Sequence, residues 1–404
     1  VVEGAEREPR DRQDDDCIEK AAPGERARPH HGREVEPVEK AVHPRQRGLW
    51  RQRIETLRDL PLTGGAYFDW PLVTDLFPWQ VSGVKFTRTW PIGETVEVLE
   101  RRWRALLAAR DRKVAFRETN DRKIANSYGT LGDTDTRLPP LASLESNAPM
   151  PAAGLYAFRS FDRRFALFDN RLGDRMSPTL HRSYSDRQVF LTSLLTAVPG
   201  EGPAMVATGL IPDLHHFCNR GAKDVIPLWR DAAATRPNIT CGLLNFFHRC
   251  YPPTPALPHE GGGSISAEDV FAYAYALLAT PAYIKTFWDE LALPGPRLPL
   301  TKDVALFAAG AALGRRLIWL HTYGERLVPP REKPGRIPPG VARCQVGTLS
   351  DPASYPDRFD YDPATQELRI GQGRFAPVRR EVWTFSISGF EVVKSWLAYR
   401  MRDR

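Results

Sequence analysis

Two stretches of this chain gather side chains able to do chemistry. The first holds Asp213, His215, His216, Cys218, Cys241, His248 and Cys250. Histidine nitrogen and cysteine thiolate are favoured zinc ligands, and zinc takes four of them in a tetrahedron. These spacings match no usual knuckle, and the cysteines serve equally as small buried hydrophobes. Asp213 or Asp224 could instead orient His215 for acid–base work, although no nucleophile motif accompanies them. A third histidine group, His30, His31 and His43, has no fixed ligand spacing.

The second stretch runs from Tyr156 to Arg187. It carries Arg159, Arg163, Arg164, Arg171, Arg175, Arg182 and Arg187, interleaved with Tyr156, Phe158, Phe161, Phe165 and Phe168. Arginine pairs with phosphate, and bidentately with guanine in the major groove of DNA. The aromatics would seat the backbone that presents the guanidiniums. Lys85 and Arg88, in an aromatic-rich segment upstream, extend this candidate DNA-contacting set. The same pattern fits a packed strand pair with a solvated basic face and local partners in Asp162, Asp169 and Asp174.

The elements that must position these residues are legible in outline. Residues 1–47 are crowded with Arg, Glu, Asp, Pro and Gly and have no aromatic, which predicts a disordered tail. Tyr67 to Pro91 is dense in aromatics and prolines and reads as packed and extended. A helix is expected over Glu94–Arg110, with Val98, Trp103, Leu106 and Leu107 on its apolar face. A Gly/Pro-rich linker over 126–151 suggests a boundary, giving a 48–150 segment and a 151–404 domain. Strands are expected at Leu155–Phe158, Phe165–Phe168, Val189–Leu191 and Met205–Thr208. A loop covers Pro252–Ser264. A helical subdomain then spans 265–328, opened by the cap Ser266 and interrupted at Thr280-Pro281. Its last helix covers Lys302–Tyr323. Strand-like pattern returns at Leu368–Ile370 and Val382–Ile387, and a short helix is expected at Glu391–Tyr399. The fold class is therefore mixed α/β (α+β) with a helical spacer.

Several functions lack their motifs. There is no Walker-type phosphate loop, no glycine-rich dinucleotide or methyl-donor turn, and no G-x-S-x-G elbow. Tyr251-Pro252-Pro253-Thr254 and Ile337-Pro338-Pro339-Gly340 have the prolines of an amino-methyltransferase motif without its flanks. The length of 404 residues suggests two to three domains, and 42% hydrophobic content supplies a core. A net charge of +7 suits a polyanion without proving one. The most apolar run, Val304–Leu320, is broken by Gly310, Gly314, Arg315 and Arg316, so no membrane span is expected. Charged residues near the start argue against a signal peptide. Five cysteines without a C-x-x-C pair fit a reducing cytoplasm.

At Tyr156-Ala157-Phe158-Arg159-Ser160-Phe161-Asp162-Arg163-Arg164-Phe165 the chain resembles the Y-R-P-F-D-x-R-W signature that opens the target recognition domain of single-chain restriction–modification enzymes. It is most similar to the Type ISP (LlaBIII-like) group. Later blocks agree in order: Ile211–His215, Val225–Trp229, Arg236–Ile239, Glu268–Ala276, Thr280–Tyr283, Arg297–Leu300, Val382–Trp383, Ser388–Phe390, Ser395–Leu397 and Tyr399-Arg400. The agreement is collinear over roughly Trp70–Arg404. Ala157 and Ser160 stand where the signature has Arg and Pro, which moves the implied contact to Arg159 and Arg163.

The resemblance implies a DNA specificity region that directs an adenine methyltransferase and ATP-dependent endonuclease not carried here. Its partners would be double-stranded DNA and the methyltransferase/translocase portion of the same system. S-adenosylmethionine, ATP and Mg would be cofactors of full-length relatives, with none on this chain. No catalytic and no metal-ligating residue is assigned. Three other readings remain open: a non-DNA interaction module, an inert remnant, and a small metal-dependent hydrolase using the His215–Cys250 region.

Overall fold

The computed structural model describes residues 67–218, 224–251, 263–348 and 355–401. The expected tail over 1–47, the His30, His31 and His43 group, and most of the 252–264 loop lie outside the described residues.

In chain order the first elements are α1 (Val73–Leu76), β1 (Val81–Ser82), β2 (Ile92–Gly93), α2 (Val96–Ala108), α3 (Arg112–Phe116), β3 (Tyr128–Gly129), β4 (Arg137–Leu138), β5 (Ala153–Arg159) and β6 (Asp162–Leu167). Next come α4 (Pro178–Ser183), β7 (Phe190–Ser193), β8 (Met205–Thr208), β9 (Asp224–Pro227) and α5 (Leu243–Cys250). The helical region holds α6 (Ala267–Leu278), α7 (Pro281–Thr286) and α8 (Val304–His321). The C-terminal part holds β10 (Arg343–Val346), β11 (Phe359–Asp362), β12 (Glu367–Ile370), β13 (Gly373–Ala376), α9 (Arg380–Trp383), β14 (Ser386–Ile387), β15 (Phe390–Glu391) and α10 (Val392–Ala398). This is the mixed α/β class.

Two antiparallel sheets form the centre, ordered β2-β6-β5 and β1-β9-β7-β8. Each draws one short strand from residues 81–93 and the others from beyond the 126–151 stretch, so both sides of that stretch share one framework. The run Ile211–Leu214 joins the sheets. Ala157 N donates to Ile211 O and Asp213 N to Ala157 O, while Val84 N donates to Pro212 O and Leu214 N to Val84 O. Gly83 permits this, because a Cβ there would lie 2.6 Å from the Asp213 carbonyl oxygen.

Local rules explain the helices. Thr95 caps α2, and Leu99, Trp103, Leu106 and Leu107 bury one face of it. Ser266 caps α6 as the sequence predicts, with Asp269 completing a capping box, and Thr280-Pro281 separates it from α7. The helix after Pro281 ends at Thr286. Phe287 leaves helical geometry, and its ring packs 4.9 Å from that of Tyr67.

Helix α8 is long and apolar enough, by length and composition, to cross a membrane. Its inward side instead fills the main core, through Phe307, Ala308, Ala311 and Ile318. Gly314 lets it approach α6, since a Cβ there would meet the Ala272 carbonyl oxygen at 1.8 Å. Arg315 anchors the contact through Asp269 at 2.8 Å and Glu268 at 3.1 Å.

The C-terminal sheet, ordered β10-β13-β12-β11, is antiparallel with a small core of its own around Leu368, Val378 and Leu397. Val382–Ile387 departs from the expected strand: it begins in helical α9 and only Ser386–Ile387 pairs. The Ser388-Gly389 turn, with φ of 49° and 79°, closes a hairpin two residues deep. Upstream, Trp383 stacks on Tyr361 at 4.8 Å, and that packing overrides the local strand preference.

Candidate nucleic-acid interface

β5 and β6 make a tight hairpin turning at Ser160-Phe161, with Arg159 opposite Asp162 and Phe161 at φ 59°. The Ser160 hydroxyl donates to the His216 carbonyl at 2.7 Å and fixes the turn against the sheet junction. Arg159, Arg163 and Arg164 therefore gather at one hairpin end. Arg159 donates to Asp213 at 2.8 Å, and its guanidinium lies 4.0 Å above the Phe158 ring. Tyr156 donates its hydroxyl to the same carboxylate, and the His215 amide donates to it at 2.7 Å. Burial raises the Asp213 carboxyl, while Arg159 pulls the other way. Arg164 pairs with Glu94 at 3.0 Å and is largely enclosed. Arg163 pairs with Glu325 at 2.6 Å, stacks over Tyr323, and remains partly open.

The other candidates lie elsewhere. Arg171 is 7% exposed and grips Asp169 through Nε and Nη2, with Nη1 on the Pro139 carbonyl. Arg88 is also enclosed, donating to the Leu172 carbonyl at 2.8 Å and lying 3.5 Å from Asp174. Lys85 reaches the same Asp174 at 3.9 Å but keeps 42% of its side chain exposed. Arg175 is exposed and touches Ser82 Oγ at 3.4 Å. Lys85 and Arg175 are backbone partners, bonded at 2.6 and 3.0 Å, so these two cations stand side by side. The seven candidates thus separate by environment. Lys85 and Arg175 face solvent, Arg163 is intermediate, and Arg88, Arg159, Arg164 and Arg171 are built into the framework.

Two arginines outside the candidate set share this framework. Arg400 forks onto buried Asp162 at 2.6 and 3.1 Å, tying the C-terminus to the hairpin. Arg326 is 6% exposed and donates to the carbonyls of Gln188 and Gly209, both at 2.9 Å. No local spacing announces either, because their partners lie more than a hundred residues away.

The His215–Cys250 constellation is spread through the fold. His216 is buried with Nδ1 2.8 Å from Thr192 Oγ1, and burial lowers its pKa to about 3. Cys218 packs with Phe217, Ile387 and Phe390. His248 meets the Ile265 carbonyl at 2.8 Å, and Cys250 is exposed. Among the described residues no three His, Cys, Asp or Glu side chains converge as a metal site would require.

The family described as the Type ISP C-terminal specificity domain matches residues 75–404. A solved complex of DrdV with DNA aligns at TM-score 0.52 and 19% identity, over 81% of this chain and 31% of that one. The ATP-dependent Type ISP restriction–modification enzyme LlaBIII, bound to DNA, aligns at TM-score 0.54 and 14% identity, over 83% of this chain and 21% of that one. At such identities the likeness is one of fold, and the chain spans less than a third of either neighbour. No curated protein matches the chain.

Proposed function

This chain belongs to the Type ISP C-terminal specificity domain family, and from that premise we propose that it recognises a specific site in double-stranded DNA. The family match over residues 75–404 carries the reading. The DNA-bound states of DrdV and LlaBIII support the choice of partner. Adenine methylation and ATP-dependent cleavage would belong to a methyltransferase/translocase portion, which would also bind S-adenosylmethionine, ATP and Mg. The place of action would be the cytoplasm, where such DNA is met.

Within the candidate set, direct contact falls to Lys85 and Arg175, and in part to the half-open Arg163. Their cations are open to solvent and can exchange water and counterions for phosphate. Arg88, Arg159, Arg164 and Arg171 act as positioning residues. Drawing Arg159 or Arg171 to DNA would strand a buried carboxylate, Asp213 or Asp169, at a cost of several kcal/mol. Selection of bound duplexes from a randomised pool, followed by sequencing, tests the proposal. An enriched motif is the expected result. Binding without enrichment, or no binding at low salt, overturns it.

A further inference from the structure

Residues 330–348 are exposed along their whole length. They hold four cations, Arg331, Lys333, Arg336 and Arg343, against a single carboxylate, Glu332. Among the described residues none of those four forms a salt bridge, in contrast to Arg159, Arg164 and Arg171. Pro330, Pro334, Pro338 and Pro339 restrict the backbone to extended and turn geometry, so little conformational freedom is left to lose on binding. Both ends are tied to the body. Gly335 N donates to Gly324 O at 2.9 Å near the start, and β10 pairs with β13 near the end.

The sheet strand next to this arm adds one more open cation, Arg374. Arg343 lies opposite Ala376, and Arg374 opposite both Val346 and Arg369. Strand alternation puts Arg343, Arg374 and Arg369 on one face, away from the Leu368 and Phe375 side that packs the small core. Arg369 and Arg374 are direct cross-strand neighbours, and like charges so placed repel. Glu367 at 2.7 Å and Asp360, directly opposite on β11, offset Arg369, with Asp362 on the same face, but among the described residues Arg374 forms no salt bridge. A phosphate placed between Arg374 and Arg343, at the side next to the arm, would relieve that repulsion.

We propose that residues 330–348, together with Arg374, form a second DNA-contacting surface that binds the phosphate backbone without reading sequence. This rests on the proposed recognition of duplex DNA and adds to it a contact surface distinct from Lys85 and Arg175. The segment contributes affinity through counterion release, while site choice stays with the rest of the domain.

The test compares the full chain with an R331A/K333A/R336A/R343A variant on a mixed-sequence duplex of about 40 bp, between about 50 and 200 mM KCl. Every phosphate deprived of its cation should reduce the slope of log K against log salt by ~0.9, so a fall of roughly 3 to 4 is expected. An R331K/R336K/R343K variant keeps the charge and should keep the slope. The motif enriched from a randomised pool should be the same for all three. An unchanged slope in the alanine variant, with K85A/R175A still weakening binding, overturns the arm proposal alone. If the motif disappears with the arm, the claim that it reads no sequence is overturned. A wild-type chain that binds no duplex overturns both proposals.

Discussion

Arg159, Arg164 and Arg171 on one side, and Arg331, Arg336 and Arg343 on the other, belong to regions of opposite design. In the first set each guanidinium lies against a carboxylate and is largely enclosed. In the 330–348 arm each is open to water. An enclosed arginine forks onto a carboxylate in a fixed geometry and holds two parts of the chain at a set distance. An open one carries charge with little structural consequence. Arginine content therefore says little about DNA contact until the partner of each guanidinium is known.

The largest effect that could break this comparison is the removal of an enclosed arginine. Arg171→Ala strands Asp169, which is 5% exposed, and should lower stability by about 3–5 kcal/mol in urea unfolding. A loss under about 1 kcal/mol would show that the enclosed arginines are as dispensable as surface ones.

Acidification comes next. Burial lowers His181 and His321 to about 4 and His216 to about 3. Above their ordinary value of 6.5 they are neutral both folded and unfolded. As pH falls below it, the unfolded chain takes up protons that the folded chain refuses. Stability present above 6.5 is thus lost progressively toward 4 and 3. Between about pH 7 and 5 the loss should be on the order of 1–2 kcal/mol for each histidine. Asp213, raised by burial, runs the opposite way, stabilising below its ordinary 3.8 and losing that as pH rises. Denaturant midpoints at the two pH values check the sum, and His216→Gln should flatten the profile by one share.

A smaller effect separates the two solvent-facing sets. Lys85→Ala with Arg175→Ala should weaken duplex binding roughly tenfold at moderate salt and reduce the salt slope by about 2. The loss should add to that of the arm variant, and salt titrations of the two sets together and apart would reveal any failure of additivity. The smallest effect expected is Arg374→Ala. Its stability should stay within about 0.5 kcal/mol of wild type, or rise slightly as the repulsion from Arg369 is removed. A clear loss in thermal melting would mean that Arg374 belongs with the enclosed set.

Much of the fold is legible along the chain. The Ser266 cap, the break at Thr280-Pro281 and the strand Met205–Thr208 fall where local rules put them, because each depends on residues within one or two turns. Helix α5 is not expected from the local pattern, and Val382–Ile387 reads as strand, because tertiary partners decide both. Phe247 packs on Tyr251 and Phe307, and Trp383 on Tyr361. The candidate interface is legible as a set of residues but not as a site. Asp162 and Asp169 are visible as local partners, and the structure pairs them with Arg164 and Arg171. Asp213, Glu325 and Arg400 enter that network only through the fold.

The sequence by itself determined the mixed α/β class, the helix starts at Ser266 and Pro281 and, through collinear blocks, the family to which this chain belongs. Those depend on periodicity, caps and residue order, all of them local or linear. Tertiary structure alone decided which cations stay open to solvent. For Arg159 and Arg400 the enclosing carboxylates, Asp213 and Asp162, lie far along the chain. No spacing in the sequence encodes that distance in space.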